Sequence, residues 1–209
     1  MVVIESTSVQ PLINAIEKAD SPERLIGAVR ALAMARSEAG IPVLIKVLGY
    51  NNPGAAVVAV NGLVQMGAVA VQPLLVLLDD YNYGARAWAI RALVMIADPR
   101  ALDVLLSAAM TDFAPSVRRA ATKGLGMLQW QLLPEAQVTA AQFRVLEVLL
   151  AIAQDSDWSI RYAAVVGLQA LATGSMRPEW LSQISATFQQ MAETESDLAV
   201  QARVYRAIG

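Results

Sequence analysis

A chain of 209 residues is long enough to bury one sizeable core or one continuous array, yet this one is 56% hydrophobic and only 16% charged, with a net charge of −2. The absence of His and Cys excludes disulfides, thiol nucleophiles, imidazole bases and the usual zinc or copper ligand sets, and the charge balance excludes nucleic-acid binding by phosphate neutralisation. So few charges leave apolar surface on an elongated fold, and part of that surface is expected to be covered by another protein.

Met1-Val2-Val3-Ile4-Glu5 has neither the basic start nor the apolar stretch of a secretory signal. Lys46, Asp79 and Arg91 interrupt the apolar runs, so no transmembrane segment is expected. A cytoplasmic setting follows as the expectation.

Taken in order, the chain repeats itself. Leu32, Leu63, Leu93, Leu125, Leu168 and Ile208 recur at near-regular spacing, each directly after a small residue, namely Ala31, Gly62, Ala92, Gly124, Gly167 and Ala207. Ala28, Ala59, Ala89, Ala121 and Ala164, with Val204 in the last repeat, stand one helical turn before the leucines and make a smooth strip for a neighbouring helix. Other amphipathic segments precede these helices, beginning near Val9, Ile41, Val71, Ala101, Val138 and Trp180. Pro11, Pro42 and Pro73 fit the first turns of first helices, and Pro22, Pro53 and Pro115 those of second helices. No segment alternates with period two. The pattern predicts an all-α, right-handed α-solenoid of HEAT-like hairpins in one domain, at approximately 7–36, 38–66, 69–96, 100–129, 137–172 and 178–209. The longer interval after Leu125 is filled by the segment from Met127 to Pro134, whose Trp130, Leu132 and Leu133 are apolar and are expected to pack.

A repeat separates scaffold from site, because a residue that recurs in register serves the stacking. Arg86, Arg118 and Arg161 recur in the first turn of second helices, and Asp80, Asp112 and Asp155 just before them. Glu195 and Gln201 take those places in the last repeat. These residues are expected to form an ion-pair ladder between hairpins. Three positions before each leucine stand Val29, Val60, Ile90, Thr122, Val165 and Tyr205, and two before it Arg30, Asn61, Arg91, Lys123, Val166 and Arg206. Both rows are expected on the inner surface, as an apolar ridge flanked by cations. Aromatic residues fall on the same side: Tyr83 and Trp158 where other repeats have Pro, Tyr162 one turn after Trp158, and Tyr81, Asn82 and Trp88 close by. With Arg91 at its edge, this set would form a cleft for a flat, conjugated, acidic molecule. No nucleophile-and-base arrangement or phosphate loop accompanies it. Gly124-Leu125-Gly126 lacks a third glycine and reads as packing strip.

The segment Tyr81-Asn82-Tyr83-Gly84-Ala85-Arg86-Ala87-Trp88-Ala89-Ile90-Arg91-Ala92-Leu93, followed by Asp98-Pro99-Arg100, resembles the signature of the heterodimeric phycobilin lyase family of cyanobacteria and red algae. The segments from Asp112 to Ala120 and from Asp157 to Ala164 resemble it too. Length and arrangement are most similar to the smaller subunit of the phycocyanin α-subunit phycocyanobilin lyases. The resemblance implies a heterodimer with a larger lyase subunit, with phycocyanobilin bound as substrate and no prosthetic group. It also implies an apo-phycocyanin α subunit as acceptor, whose cysteine forms a thioether with the pigment. It implies a cyanobacterial cytoplasm or plastid stroma as the site of action. Isomerising relatives carry a His-Cys pair, and this sequence has neither residue. The candidate pigment contacts are Tyr81, Asn82, Tyr83, Trp88, Arg91, Trp158 and Tyr162, with no residue assigned a covalent catalytic role. Two alternatives remain open on the residues themselves: a solenoid that detaches pigment or helps dismantle the antenna, and a scaffold that binds protein alone.

Overall fold

The computed structural model describes residues 9–78, 83–174 and 177–209, with the side chain of Tyr83 also outside the description. Among these residues the chain is entirely helical between its turns, and it divides into two compact units, residues 1–96 and 97–209. Each holds three HEAT-like hairpins, where the sequence reading takes all six as one domain.

Unit 1 contains α1 (Gln10–Glu17) and α2 (Pro22–Ala35), α3 (Ile41–Leu48) and α4 (Pro53–Met66), and α5 (Ala68–Leu77) and α6 (Tyr83–Ile96). The second helices α2, α4 and α6 pack side by side, and α3 packs against α4, α5 and α6. Starts are set by local chemistry. The Ser21 hydroxyl accepts from the Arg24 N–H and the Asn52 side-chain Oδ1 from the Ala55 N–H, each just before a proline at the first helical position. Gly67 alone joins α4 to α5, at φ 65°, a left-handed conformation that a Cβ would disfavour. That short joint moves the start of α5 to Ala68. Pro73 therefore lies inside α5 and not in its first turn as expected. The amide it lacks would have bonded the carbonyl of Val69, a residue 45% exposed, where water can serve instead.

Unit 2 contains α7 (Leu102–Thr111) and α8 (Pro115–Leu125), α9 (Glu135–Ile152) and α10 (Trp158–Gly174), and α11 (Pro178–Thr194) and α12 (Leu198–Ile208). Here α8, α10 and α12 form one row, and α9 packs against α7 and α11 in the other. The extra residues between α8 and α9 do pack in part: Leu128 and Trp130 are buried, while Leu132 is 54% exposed. The Gln129 N–H donates to the carbonyl of Ala97 at 2.8 Å, tying this connection back to the start of the unit.

The small-residue strip has its physical consequence at Gly126. A Cβ there would stand 2.0 Å from the carbonyl oxygen of Gly167, so α8 and α10 approach backbone to backbone. Gly62 does the same for α4 and α2, a Cβ there meeting that of Ala33 at 2.6 Å. Leu32, Leu63, Leu93, Leu125 and Leu168 are fully buried, and Ile208 in the last described helix is 50% exposed.

One expectation is corrected. Val29, Val60, Ile90, Thr122 and Val165 form no exposed ridge but are buried, and Tyr205 alone of that row is exposed. Close backbone approach widens the buried arc of each second helix by one residue, which encloses the row and leaves the next one outside. Arg30, Asn61, Arg91 and Arg206 accordingly stand exposed, with Lys123 and Val166 half-buried.

Candidate functional site

The recurring arginines lie at the hairpin turns. Arg118 on α8 pairs with Asp155, before α10, at 2.5 Å, and its Nε donates to the Ala109 carbonyl. Arg161 on α10 donates through Nε and a terminal nitrogen to both carboxylate oxygens of Glu195, before α12, at 2.7 Å each. This pairing and the Asp197 amide hold the Glu195 carboxyl below the ordinary glutamate range against the opposing pull of burial. The acids also brace the turns before the second helices: Asp112 accepts from the Ala114 N–H, Asp155 from the Asp157 N–H and Glu195 from the Asp197 N–H. Arg86 donates to the Leu78 carbonyl, holding the start of α6 against the end of α5. Asp80 lies outside the described residues. Asp98, 5% exposed, belongs to the same structural set, because Arg100 binds it through two nitrogens and draws its carboxyl below the ordinary aspartate range.

The outward residues behave differently. On α6 the buried side is Ala85, Ala89, Ile90, Ala92 and Leu93, which leaves Trp88 half-buried and Arg91 exposed on the other. Three residues apart on a helix, they face one another, and the Arg91 guanidinium stacks 4.7 Å from the centre of the indole. Of the other predicted contacts in this unit, Tyr83 opens α6, and Tyr81 and Asn82 lie outside the described residues.

In unit 2, Trp158 opens α10 and is 49% exposed, and Tyr162 follows one turn later, half-buried on the same face. These two rings belong to unit 2, and Trp88 and Arg91 to unit 1. What the sequence reading missed is the neighbour of Tyr162: Lys123 of α8 places its Nζ 5.5 Å from the centre of that ring. The signal was present, since Lys123 shares its register with Arg91, but the ring it meets lies on the next hairpin. Beside Trp158, Asp157 is held below the ordinary aspartate range chiefly by hydrogen bonds from Ser159, with a weaker pull from Arg119.

Among the described residues, hollows of about 440 Å³ between α7 and α9 and of about 380 Å³ among α10, α11 and α12 are not lined by the residues of either stack. No group of acidic residues able to hold a metal ion occurs among the described residues. No helix among them is long and apolar enough to cross a membrane. The arrangement offers open walls of ring and cation, suited to holding an anionic aromatic molecule and without a group that attacks it.

The family of HEAT repeats matches residues 57–126. The chain is 54% identical to the phycocyanobilin lyase subunit beta of Nostoc sp. (strain PCC 7120), over 94% of this chain and 96% of that protein. It is 47% identical to the phycocyanin alpha phycocyanobilin lyase CpcF of Synechocystis sp. (strain PCC 6803), over 96% and 93%. Among solved structures, the complex of CpcE and CpcF of phycocyanin lyase from Nostoc sp. PCC7120 contains a chain that matches with a TM-score of 0.78 at 54% identity. That match covers 83% of this chain and 100% of the other.

Proposed function

Because this chain belongs to the family of phycocyanobilin lyase beta subunits, HEAT-repeat proteins of the CpcF type, we propose that it is the smaller subunit of a two-chain lyase that holds phycocyanobilin for attachment to the phycocyanin α subunit. The observation that carries this reading is the Trp88–Arg91 stack, an indole and a guanidinium presented together on the free face of α6. Trp88 supplies a face for a conjugated pyrrole ring, and Arg91 a planar donor for a propionate carboxylate. Tyr81 and Asn82, directly before that helix in the sequence, and Tyr83, which opens it, belong to the same proposed contact set, and Trp158 and Tyr162 are proposed as pigment contacts of unit 2 taken by itself. The wall is open, so a larger partner subunit supplies the rest of the enclosure. Phycocyanobilin is then substrate and not a resident cofactor, and the reaction takes place in the cytoplasm or plastid stroma where the antenna is assembled.

With no Cys or His, the chain contributes position and not covalent catalysis. The acceptor protein's thiol adds across a carbon–carbon double bond of the pigment: the S–H bond and one π bond are lost, C–S and C–H bonds form, and no oxidant or leaving group is needed. A pigment held in one orientation receives the thiol on one face.

The test uses the purified chain with its partner subunit, phycocyanobilin and apo-α-subunit. Pigment absorbance is expected to change on mixing, and a covalent adduct that survives denaturation is expected to accumulate. Pigment binding without adduct, or release of pigment from the finished subunit, would assign the chain to detachment instead. No absorbance change would leave a protein scaffold.

A further inference from the structure

The cations of unit 2 divide by what they meet. Arg100, Arg118, Arg144 and Arg161 pair with Asp98, Asp155, Asp103 and Glu195, all at 2.7 Å or closer. Lys123 forms no ion pair among the described residues, although it is half-buried. A half-buried ammonium gives up part of its hydration and needs something in return. Its place in the last turn of α8 accounts for a positive charge, through the helix dipole. It does not account for the direction of the side chain, since a lysine turned into water would serve the dipole equally. Lys123 instead crosses to the next hairpin and settles on Tyr162.

The surroundings extend that contact into a groove. Arg119 stands one turn before Lys123 on α8 and is exposed; Trp158 stands one turn before Tyr162 on α10 and is 49% exposed. Two cations of one helix thus run beside two rings of the next, at the spacing fixed by the contact of Gly126 with Gly167. Arg119 lies within the field of Asp157, a carboxylate engaged by Ser159, so its charge is partly answered. No carboxylate pairs with Lys123 among the described residues.

We infer that the groove between α8 and α10 is a separate carboxylate-and-ring subsite for a linear tetrapyrrole, in which Lys123 grips a propionate while Tyr162 and Trp158 lie against a pyrrole ring. The inference rests on the proposed pigment-binding function and assigns unit 2 an anchor of its own, on residues outside the family's Tyr-Asn-Tyr-Gly-Ala-Arg-Ala-Trp block. A propionate is ionised at neutral pH, and the conjugated rings beside it match an exposed indole and phenol. An acidic peptide would satisfy the two cations and leave both rings uncovered.

The experiment titrates the complex of this chain and its partner with phycocyanobilin as the free acid and as its dimethyl ester, followed by pigment absorbance. The unsubstituted complex is expected to prefer the acid. Lys123→Gln is expected to weaken the acid about ten-fold and leave the ester within about two-fold, and Lys123→Arg to restore the preference. Circular dichroism checks that the variants fold. If Lys123→Gln does not fold, equal affinity of the unsubstituted complex for acid and ester is enough to overturn the proposal. Equal weakening of both pigments would mean that Lys123 shapes the groove without gripping a carboxylate, which also overturns it. So would lost capture of apo-α-subunit with pigment affinity intact, which assigns the groove to protein docking. A pigment response that ignores Lys123 removes this subsite alone, whereas no pigment response from the unsubstituted complex removes the functional reading together with it.

Discussion

The two cation–ring contacts are built in opposite ways. Trp88 and Arg91 are neighbours on one helix, so their stack is secured as soon as α6 forms and turns Ile90 and Leu93 inward. Lys123 and Tyr162 come from consecutive hairpins, and their contact exists only while α8 and α10 keep their close approach. The first kind tolerates movement between helices; the second reports on it.

The change expected to separate them most is Gly126→Ala. Its Cβ would fall 2.0 Å from the Gly167 oxygen, and backbone cannot rotate away as a side chain can, so a loss of about 3 kcal/mol is expected in urea unfolding. The Lys123–Tyr162 contact should go with it, while Trp88 fluorescence in the folded fraction should be unaltered; a stability unchanged from that of the unsubstituted chain would refute the close approach. Next in size is Glu195→Gln, which leaves Arg161 without its counter-charge. About 2 kcal/mol is expected, reduced from a fully severed buried pair because Arg161 also donates to the carbonyls of Asp155 and Ser156.

Acid should act through the same groups. Arg161 and Arg100 lower the carboxyl pKa values of Glu195 and Asp98 in the folded state. Their stabilisation is therefore complete above the ordinary carboxylate values near pH 4 and is lost as the pH falls through the lowered ones. Urea midpoints measured from pH 6 down to pH 3 should drop, and the drop should be shallower in Glu195→Gln.

Arg91→Ala, on the exposed face, should leave stability within about 0.5 kcal/mol and weaken pigment binding about ten-fold. Pigment titration beside a melting curve checks both, and unchanged binding removes Arg91 from the site. The smallest effect belongs to Trp88→Leu, which keeps apolar area but loses the ring. A few-fold loss of pigment affinity is expected, with Arg91 still in place.

Much of the fold was legible because helices announce themselves within a few residues. Pro22, Pro53 and Pro115 begin helices as read, and the leucine register marks the buried side of five second helices. Pro73 misled because a single glycine proved a sufficient joint, which no residue count specifies. The candidate site was legible on α6, where Trp88 and Arg91 needed only helical spacing to meet. It was not legible at Lys123, whose partner is set by the crossing of two helices. The row from Val29 to Val165 was read as a surface ridge because burial at the margin of a packed strip depends on how near the neighbour comes.

By itself, then, the sequence determined the helical hairpins, their order, the lack of any reactive thiol or imidazole, and the pairing of an indole with a guanidinium on one turn of α6. All of these follow from composition or from a period of 3.6 residues. The repeat register also anticipated that Arg118 and Arg161 reach acids of the following hairpin. Only the tertiary structure decided that one outward row is buried, and that Lys123 rests on Tyr162. Those outcomes depend on the distance and crossing of separate helices, and Gly126 and Gly167 set that distance between α8 and α10 by having no side chain to keep them apart.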